Sequence, residues 1–379
     1  MSRHWATLLA LAAFLNMACG NGRDGDGNTP PSVDNSFLYV ASQAVNTVSA
    51  FKIDTTTGAL TPVPGSPFTA GDGAKWVAIA PSGKFAYVAN YEAGTISAFA
   101  IDASSGALEA VAGSPFQAAP YIAFLTVHPS GEFLCAANYY SGSISVFSVD
   151  RVTGAIRRVS DYGLGMGSQP LCAAIDPSGR YLYAPDFFVD VYGFHIDTTG
   201  GWLRPVSGSP IRTGGIYPSY AVVDQSGLFL YVSNYYSRNI DGFAIDTSSG
   251  ALTPLSGSPF PLREVAAGPM AIVFDPAFRF AYVVNIESSS FSIFAFDSFS
   301  GTMTEIPGSP FRFRMEPFPG PALMAIHPAG RFAYVSNFFS ADVAAYALDA
   351  GTGLMTELAR SPYPVGDEPV GLAIAHIRR

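Results

Sequence analysis

The chain has 379 residues, 49% hydrophobic and 13% charged, enough for a large core and too apolar for a disordered chain. Its net charge of −9, with no basic run or stripe, excludes a nucleic-acid binder, which must neutralise phosphates with clustered Lys and Arg. Abundant Gly (38) and Pro (29) point to many short strands joined by tight turns.

The first element is an export signal. Arg3 and His4 give a short basic start, Trp5 to Leu15 an apolar core, and a small residue, Ala18, directly precedes Cys19. The stretch Leu15-Asn16-Met17-Ala18-Cys19 resembles a bacterial lipoprotein lipobox, with Asn16 where Leu is usual, and implies lipidation of Cys19. The apolar run is too short to span a bilayer, which takes about 20 residues. Residues 1–18 therefore read as signal peptide and 19–36, rich in Gly, Asp and Pro, as a flexible tether. The expected location is the bacterial cell envelope, with membrane contact through the lipid alone. Cys135 and Cys172, the cysteines left in the folded part, sit in apolar strand patterns and read as separate buried thiols.

From Phe37 onward the chain repeats. Tyr-Val-x-Asn or a variant starts at Tyr39, Tyr87, Cys135, Tyr183, Tyr231, Tyr282 and Tyr334, in steps of 48 four times, then 51 and 52. Each copy holds four strand-like stretches, A to D. In the second copy, A is the apolar run Val77-Ala78-Ile79-Ala80 before the turn Pro81-Ser82-Gly83. B runs from Phe85 to Asn90, C alternates from Thr95 to Ile101, and D begins at Gly106-Ala107-Leu108. Between C and D lies Asp102-x-x-x-Gly106, where Asp can bond its own backbone and Gly can take positive φ. Four-stranded units at this period are propeller blades, so seven copies predict an all-β, seven-bladed β-propeller over residues 37–379. Short A–B and C–D turns exclude a parallel solenoid. The first copy lacks strand A, while Pro369 to Ala375 is a strand A with no B after it. The C-terminal strand is thus expected to complete the N-terminal blade and close the ring.

The repeat resembles the lactonase-type seven-bladed propellers, relatives of bacterial propeller 6-phosphogluconolactonases and fungal carboxymuconate cyclases. The carrying residues are the Tyr-Val-Ala-Asn strands, turns such as His128-Pro129-Ser130-Gly131 and Asp176-Pro177-Ser178-Gly179, and the Asp-x-x-x-Gly-x-Leu turns. Kelch and WD repeats fit less well, for the chain has three Trp and no Trp-Asp pair. The resemblance implies a lactonase, a carboxylic ester hydrolase. In those enzymes strand A opens with Gly-Pro-Arg-His, placing cations near the ring axis. Here the Arg slots hold Lys75, Ala123, Leu171, Ser219, Met270, Ala322 and Val370, so only Lys75 is charged. The His slots hold Trp76, Phe124, Cys172, Tyr220, Ala271, Leu323 and Gly371.

Seven Asp at one turn position (Asp54, Asp102, Asp150, Asp197, Asp246, Asp297, Asp349) serve the turn. His128 and His327 read as turn caps, sharing a slot with Asp176, Asp224 and Asp275. Departures from the repeat say more. The steps of 51 and 52 come from two inserted D–A loops in neighbouring blades, carrying Arg263, Glu264, Arg312, Arg314 and Glu316, with Glu287 on the B–C loop between them. Arginines there, with Lys75, can hold an anionic substrate by bidentate bonds. Glu316, Glu287 or Glu264 can act as general base on water attacking a lactone carbonyl. The competing reading is a solvated ion-pair network. D–A and B–C loops share one face, which also carries the B–C aromatics Tyr91, Tyr139, Tyr140, Phe187, Phe188, Tyr235, Tyr236, Phe338 and Phe339. A sugar or a protein could stack on them, or they pack between blades. No haem, zinc, phosphate-loop or nucleophile-elbow motif occurs, and no cofactor or metal is expected. Two readings stand: a monomeric lactonase acting on a small anionic sugar-acid lactone, or a non-catalytic propeller binding a glycan, peptide or partner protein.

Overall fold

A computed structural model describes residues 35–188, 190–263, 268–312 and 319–377. The signal, Cys19 and most of the tether lie outside them. The described residues form no helix. They form seven small antiparallel sheets whose strands follow one another in order A–B–C–D, the arrangement of a seven-bladed propeller.

Blade 2 shows the pattern: strand A is Ala74–Ile79, B is Phe85–Asn90, C is Thr95–Ile101 and D begins as Leu108–Ala110. Strand B, covered on both faces, is buried at every residue. Blade 1 takes B, C and D from Asn35–Ser42, Thr47–Ile53 and Leu60–Pro62, and its strand A is the C-terminal Pro369–Ile377. Phe37 pairs with Ala375, Leu38 with Ile374 and Tyr39 with Ala373, so the chain ends close the ring as the repeat predicts. Blade 4 departs most, with an inner strand of only Ala174–Ile175.

The Tyr of strand B joins neighbouring blades. Tyr39 donates its hydroxyl to the Gly106 carbonyl of the next blade at 2.8 Å, Tyr183 to Gly250 at 2.9 Å, and Tyr334 of blade 7 to Gly58 of blade 1 at 2.9 Å. Blade 3 has Cys135 instead, and the Gly201 carbonyl that lacks a Tyr is met by Ser160 Oγ at 3.0 Å. Cys135 and Cys172 are separate free thiols, each pushed up to about 12 by burial.

The turn Asp behave as expected: Asp54 accepts from the amides of Thr56 and Thr57, bonds that hold its carboxyl below the usual range. Strand D carries a feature the repeat analysis passed over. In six blades it is split by Ser-Pro with a cis peptide, and the Ser hydroxyl fills the gap in the ladder. Ser114 Oγ accepts from Ala98 N–H at 2.9 Å, and Phe116–Gln117 then resumes pairing with strand C. Blade 3 lacks the motif and keeps one continuous strand, Ile156–Gly163.

The closure seam is polar inside. Ser36 Oγ lies 2.9 Å from His327 Nε2 and 2.8 Å from His376 Nδ1, binding blade 7 to both terminal strands. Burial, then the neighbouring His376 and Arg331, hold the His327 imidazole below its ordinary pKa. The unfolded chain therefore binds a proton that the folded chain resists, so this stability is present at neutral pH and fades as pH falls. The melting temperature should drop between about pH 7 and pH 5, and His327→Gln should flatten that part of the profile. Equal slopes in both proteins would remove His327 from the account.

Candidate functional site

Backbone bonds tie each D–A loop to the B–C loop of its blade. Tyr91 N–H donates to Gly73, Tyr139 to Tyr121, Tyr235 to Tyr217, Ile286 to Gly268 and Phe338 to Gly320. The accepting residue has positive φ in all five, which Gly adopts freely, yet blades 3 and 5 place Tyr121 (φ 61°) and Tyr217 (φ 66°) there, and blade 1 places Glu368 (φ 55°) at the same slot, accepting from Gln43. Bulky side chains are strained in that region. Both rings go to the upper face. Tyr121 lies 5.2 Å from Tyr91 and 4.7 Å from Tyr140, while Tyr217 lies 5.5 Å from Tyr235 and 4.8 Å from Tyr236. With Tyr139 and Phe187 between them, ring contacts run unbroken across blades 2 to 5. Tyr140 and Tyr236 are 61% and 63% exposed. Sequence reasoning found the B–C aromatics and missed Tyr121 and Tyr217, although Gly73, Gly268 and Gly320 at the same slot were the available signal.

Lys75 stands at the inner end of this arc. Its Nζ lies 4.2 Å over the Tyr91 ring, a cation–π contact, and burial holds the ammonium below its ordinary pKa. Tyr91 is itself pushed up to about 12, by burial first and then by Tyr140, Tyr139, Tyr121 and Glu92. Across the face, Glu287 is exposed and hydrogen-bonded to the Tyr235 hydroxyl; burial, followed by that carboxylate, raises the phenol well above its usual range.

Arg263 is engaged elsewhere. Its guanidinium lies 3.6 Å from the buried Glu305 carboxylate on the outer strand of blade 6 and donates to the Glu305 and Ile306 carbonyls at 3.1 and 3.3 Å. Its own amide also donates to Glu305, at 3.0 Å. This arginine therefore serves the ion-pair network weighed against a substrate role. Arg312 is exposed on the short outer strand Phe311–Arg312, paired with Ser290. Glu264, Arg314 and Glu316 lie outside the described residues. Lys75 and Glu287 are thus placed on the upper face, and the structure does not bring Arg263 to them.

The axis is closed by aromatics. A β-bulge interrupts the A–B ladder at the start of strand A, between Ala74 and Trp76 in blade 2 and at the same place in blades 3, 5, 6 and 7. Just past it, Trp76 and Phe124 lie 4.2 Å apart and Tyr220, from blade 5, lies 6.4 and 6.0 Å from them. Gly371 lets the strands meet closely here, for a Cβ on it would fall 2.7 Å from Trp76 Cα. These are the slots where the resemblance expects histidines. Below this layer lies a cavity of about 490 Å³ with no charged residue in its walls. Among the described residues no three His, Cys, Asp or Glu gather to hold a metal ion.

Residues 168–264 and 263–376, together more than half of the chain, match the family described as "Lactonase, 7-bladed beta-propeller". No curated protein sequence matches. Among solved structures, a periplasmic gluconolactonase of Pseudomonas aeruginosa is 20% identical, with 90% of this chain and 99% of that one covered and a TM-score of 0.78. A Bacteroides fragilis protein assigned as a 6-phosphogluconolactonase is 22% identical over 92% and 99%, with a TM-score of 0.76. A Lactobacillus plantarum protein is 20% identical over 90% and 99%, with a TM-score of 0.74. At these identities the likeness is one of fold.

Proposed function

Because the chain belongs to the lactonase family of seven-bladed β-propellers, we propose that it is an exported, lactonase-like protein acting on a small anionic sugar-acid lactone at the Lys75 end of the axis. The observation that supports this reading is Lys75 itself. It is the one cation in the seven inner slots, and it is partly desolvated over Tyr91, where an ammonium gains more from an incoming carboxylate than it would in water. Glu287, with Glu316 and Glu264 on the inserted loops, supplies the carboxylates from which a general base for the attacking water would come. The Pseudomonas aeruginosa neighbour, a periplasmic gluconolactonase, lends support to both the location and the substrate class. Anchoring through a lipid on Cys19 belongs to the same proposal.

The test is acid release from sugar-acid and muconate-type lactones by the chain from Asn21 onward, which retains the whole ring. Lys75→Met is expected to raise KM about tenfold, and Glu287→Gln or Glu316→Gln to lower kcat by about a hundredfold if that residue is the base. No turnover across the panel would overturn the hydrolase reading and leave the second one, a non-catalytic propeller binding a glycan, peptide or partner protein. That reading is favoured by Tyr121 and Tyr217, whose strained backbone is kept while their rings complete an exposed aromatic surface.

A further inference from the structure

The aromatic layer of Trp76, Phe124 and Tyr220 divides the axis in two, and the half away from Lys75 has its own chemistry. Its cavity of about 490 Å³ is the size of a small-molecule pocket and is walled by strands A of six blades. Ile79, Val127 and Val223 line it toward the A–B turns, where they are half-exposed, so it opens on the face opposite the loops described above. The residues that line it include two with side-chain hydroxyls, Thr126 and Tyr220, and none with a charge. The Tyr220 ring is fixed by its contacts with Trp76 and Phe124, yet its hydroxyl has no hydrogen-bond partner among the described residues. Burial, then the neighbouring Cys172, keeps that phenol protonated, so it is a donor without a protein acceptor, on a residue that lines the cavity.

We infer that this lower channel is a second ligand site, taking an uncharged, mainly apolar small molecule that places one carbonyl oxygen against the Tyr220 hydroxyl. A charged ligand would lose its hydration with no counter-charge in the walls. Water could satisfy the phenol but would leave the surrounding Val, Ile, Leu and Met surface wet. The site is independent of the lactonase reading, because it lies on the other side of the aromatic layer from Lys75.

A suitable probe is 6-propionyl-2-dimethylaminonaphthalene, which is neutral, has one carbonyl and emits at shorter wavelength in apolar surroundings. The chain from Asn21 onward should bind it saturably, with blue-shifted emission and quenching of Trp76 at the same concentrations. Ala373→Trp, which fills the cavity, should weaken binding at least tenfold while the protein still melts cooperatively. Tyr220→Phe should weaken the probe about fivefold and leave 2-dimethylaminonaphthalene, which lacks the carbonyl, unchanged. The proposal is overturned by the absence of saturable binding, by undiminished binding to a folded Ala373→Trp protein, or by a Tyr220→Phe effect that does not distinguish the two probes.

Discussion

Deleting residues 369–379 should leave a chain with no cooperative melting transition. Strand Pro369–Ile377 is the inner strand of blade 1, and without it Asn35–Ser42, buried at all eight residues, becomes an open edge. The strand also ties blade 1 to its neighbours. Ser336 Oγ of blade 7 donates to the Val370 carbonyl at 2.7 Å, His376 meets Ser36, and Gly371 lies against Trp76 of blade 2. Leu372 and Ala375 leave the core outright, and Phe37, Leu38, Tyr39 and Val40 lose cover. At about 1.5–3 kcal/mol for each large apolar side chain returned to water, the loss approaches the 5–15 kcal/mol by which domains are usually stable. Near-UV circular dichroism on heating is the measurement. A truncated protein melting at the full-length temperature would show that the ring does not depend on this closure.

Gly106→Ala should destabilise the protein by about 3 kcal/mol, a large effect for one methyl group. Gly106 has φ 78°, which costs a residue with a Cβ about 1–2 kcal/mol. The added Cβ would also fall 2.3 Å from the Phe37 ring, the first aromatic of strand B in the preceding blade. Displacing a ring from a close-packed core costs a further 1–3 kcal/mol or so. The same pairing recurs around the ring, with Phe85 over Gly154, Tyr181 over Gly250 and Phe332 over Gly58. Gly163→Ala is the control: nothing lies within 4 Å of its added Cβ and its φ is not positive, so the change should stay within about 0.5 kcal/mol. Urea unfolding midpoints separate the two. Similar midpoints for both variants would mean that the ring over Gly106 yields freely.

The repeat made most of the fold legible. Tyr-Val-x-Asn at a near-constant step places strand B, Asp-x-x-x-Gly places the C–D turn, and a strand A stranded at the C-terminus requires closure. These are local signals: alternation, turn chemistry and spacing act within one blade and are written seven times. What the repeat understates is the partner across a blade boundary. The same Gly read as a turn residue also carries the carbonyl that Tyr39 reaches and the bare Cα on which Phe37 rests, and both partners come from another blade.

The site was less legible, because its parts depart from the repeat in unrelated ways. Lys75 stood out by charge, and its slot fixed its depth in the channel. Arg263 looked equally apt from its insertion, but side-chain direction is set by the nearest satisfying partner, and the buried Glu305 carboxylate on the outer strand of blade 6 takes it. Trp76, Phe124 and Tyr220 are separated by 48 and 96 residues in a sequence that shows only that each replaces a histidine expected by resemblance. By itself the sequence determined the blade, its number and its closure, since short-range hydrophobic and turn patterns suffice for these. Only the tertiary structure decided that three aromatics meet on the axis and split the channel, because ring closure brings distant blades face to face and packing, not spacing, selects what touches there.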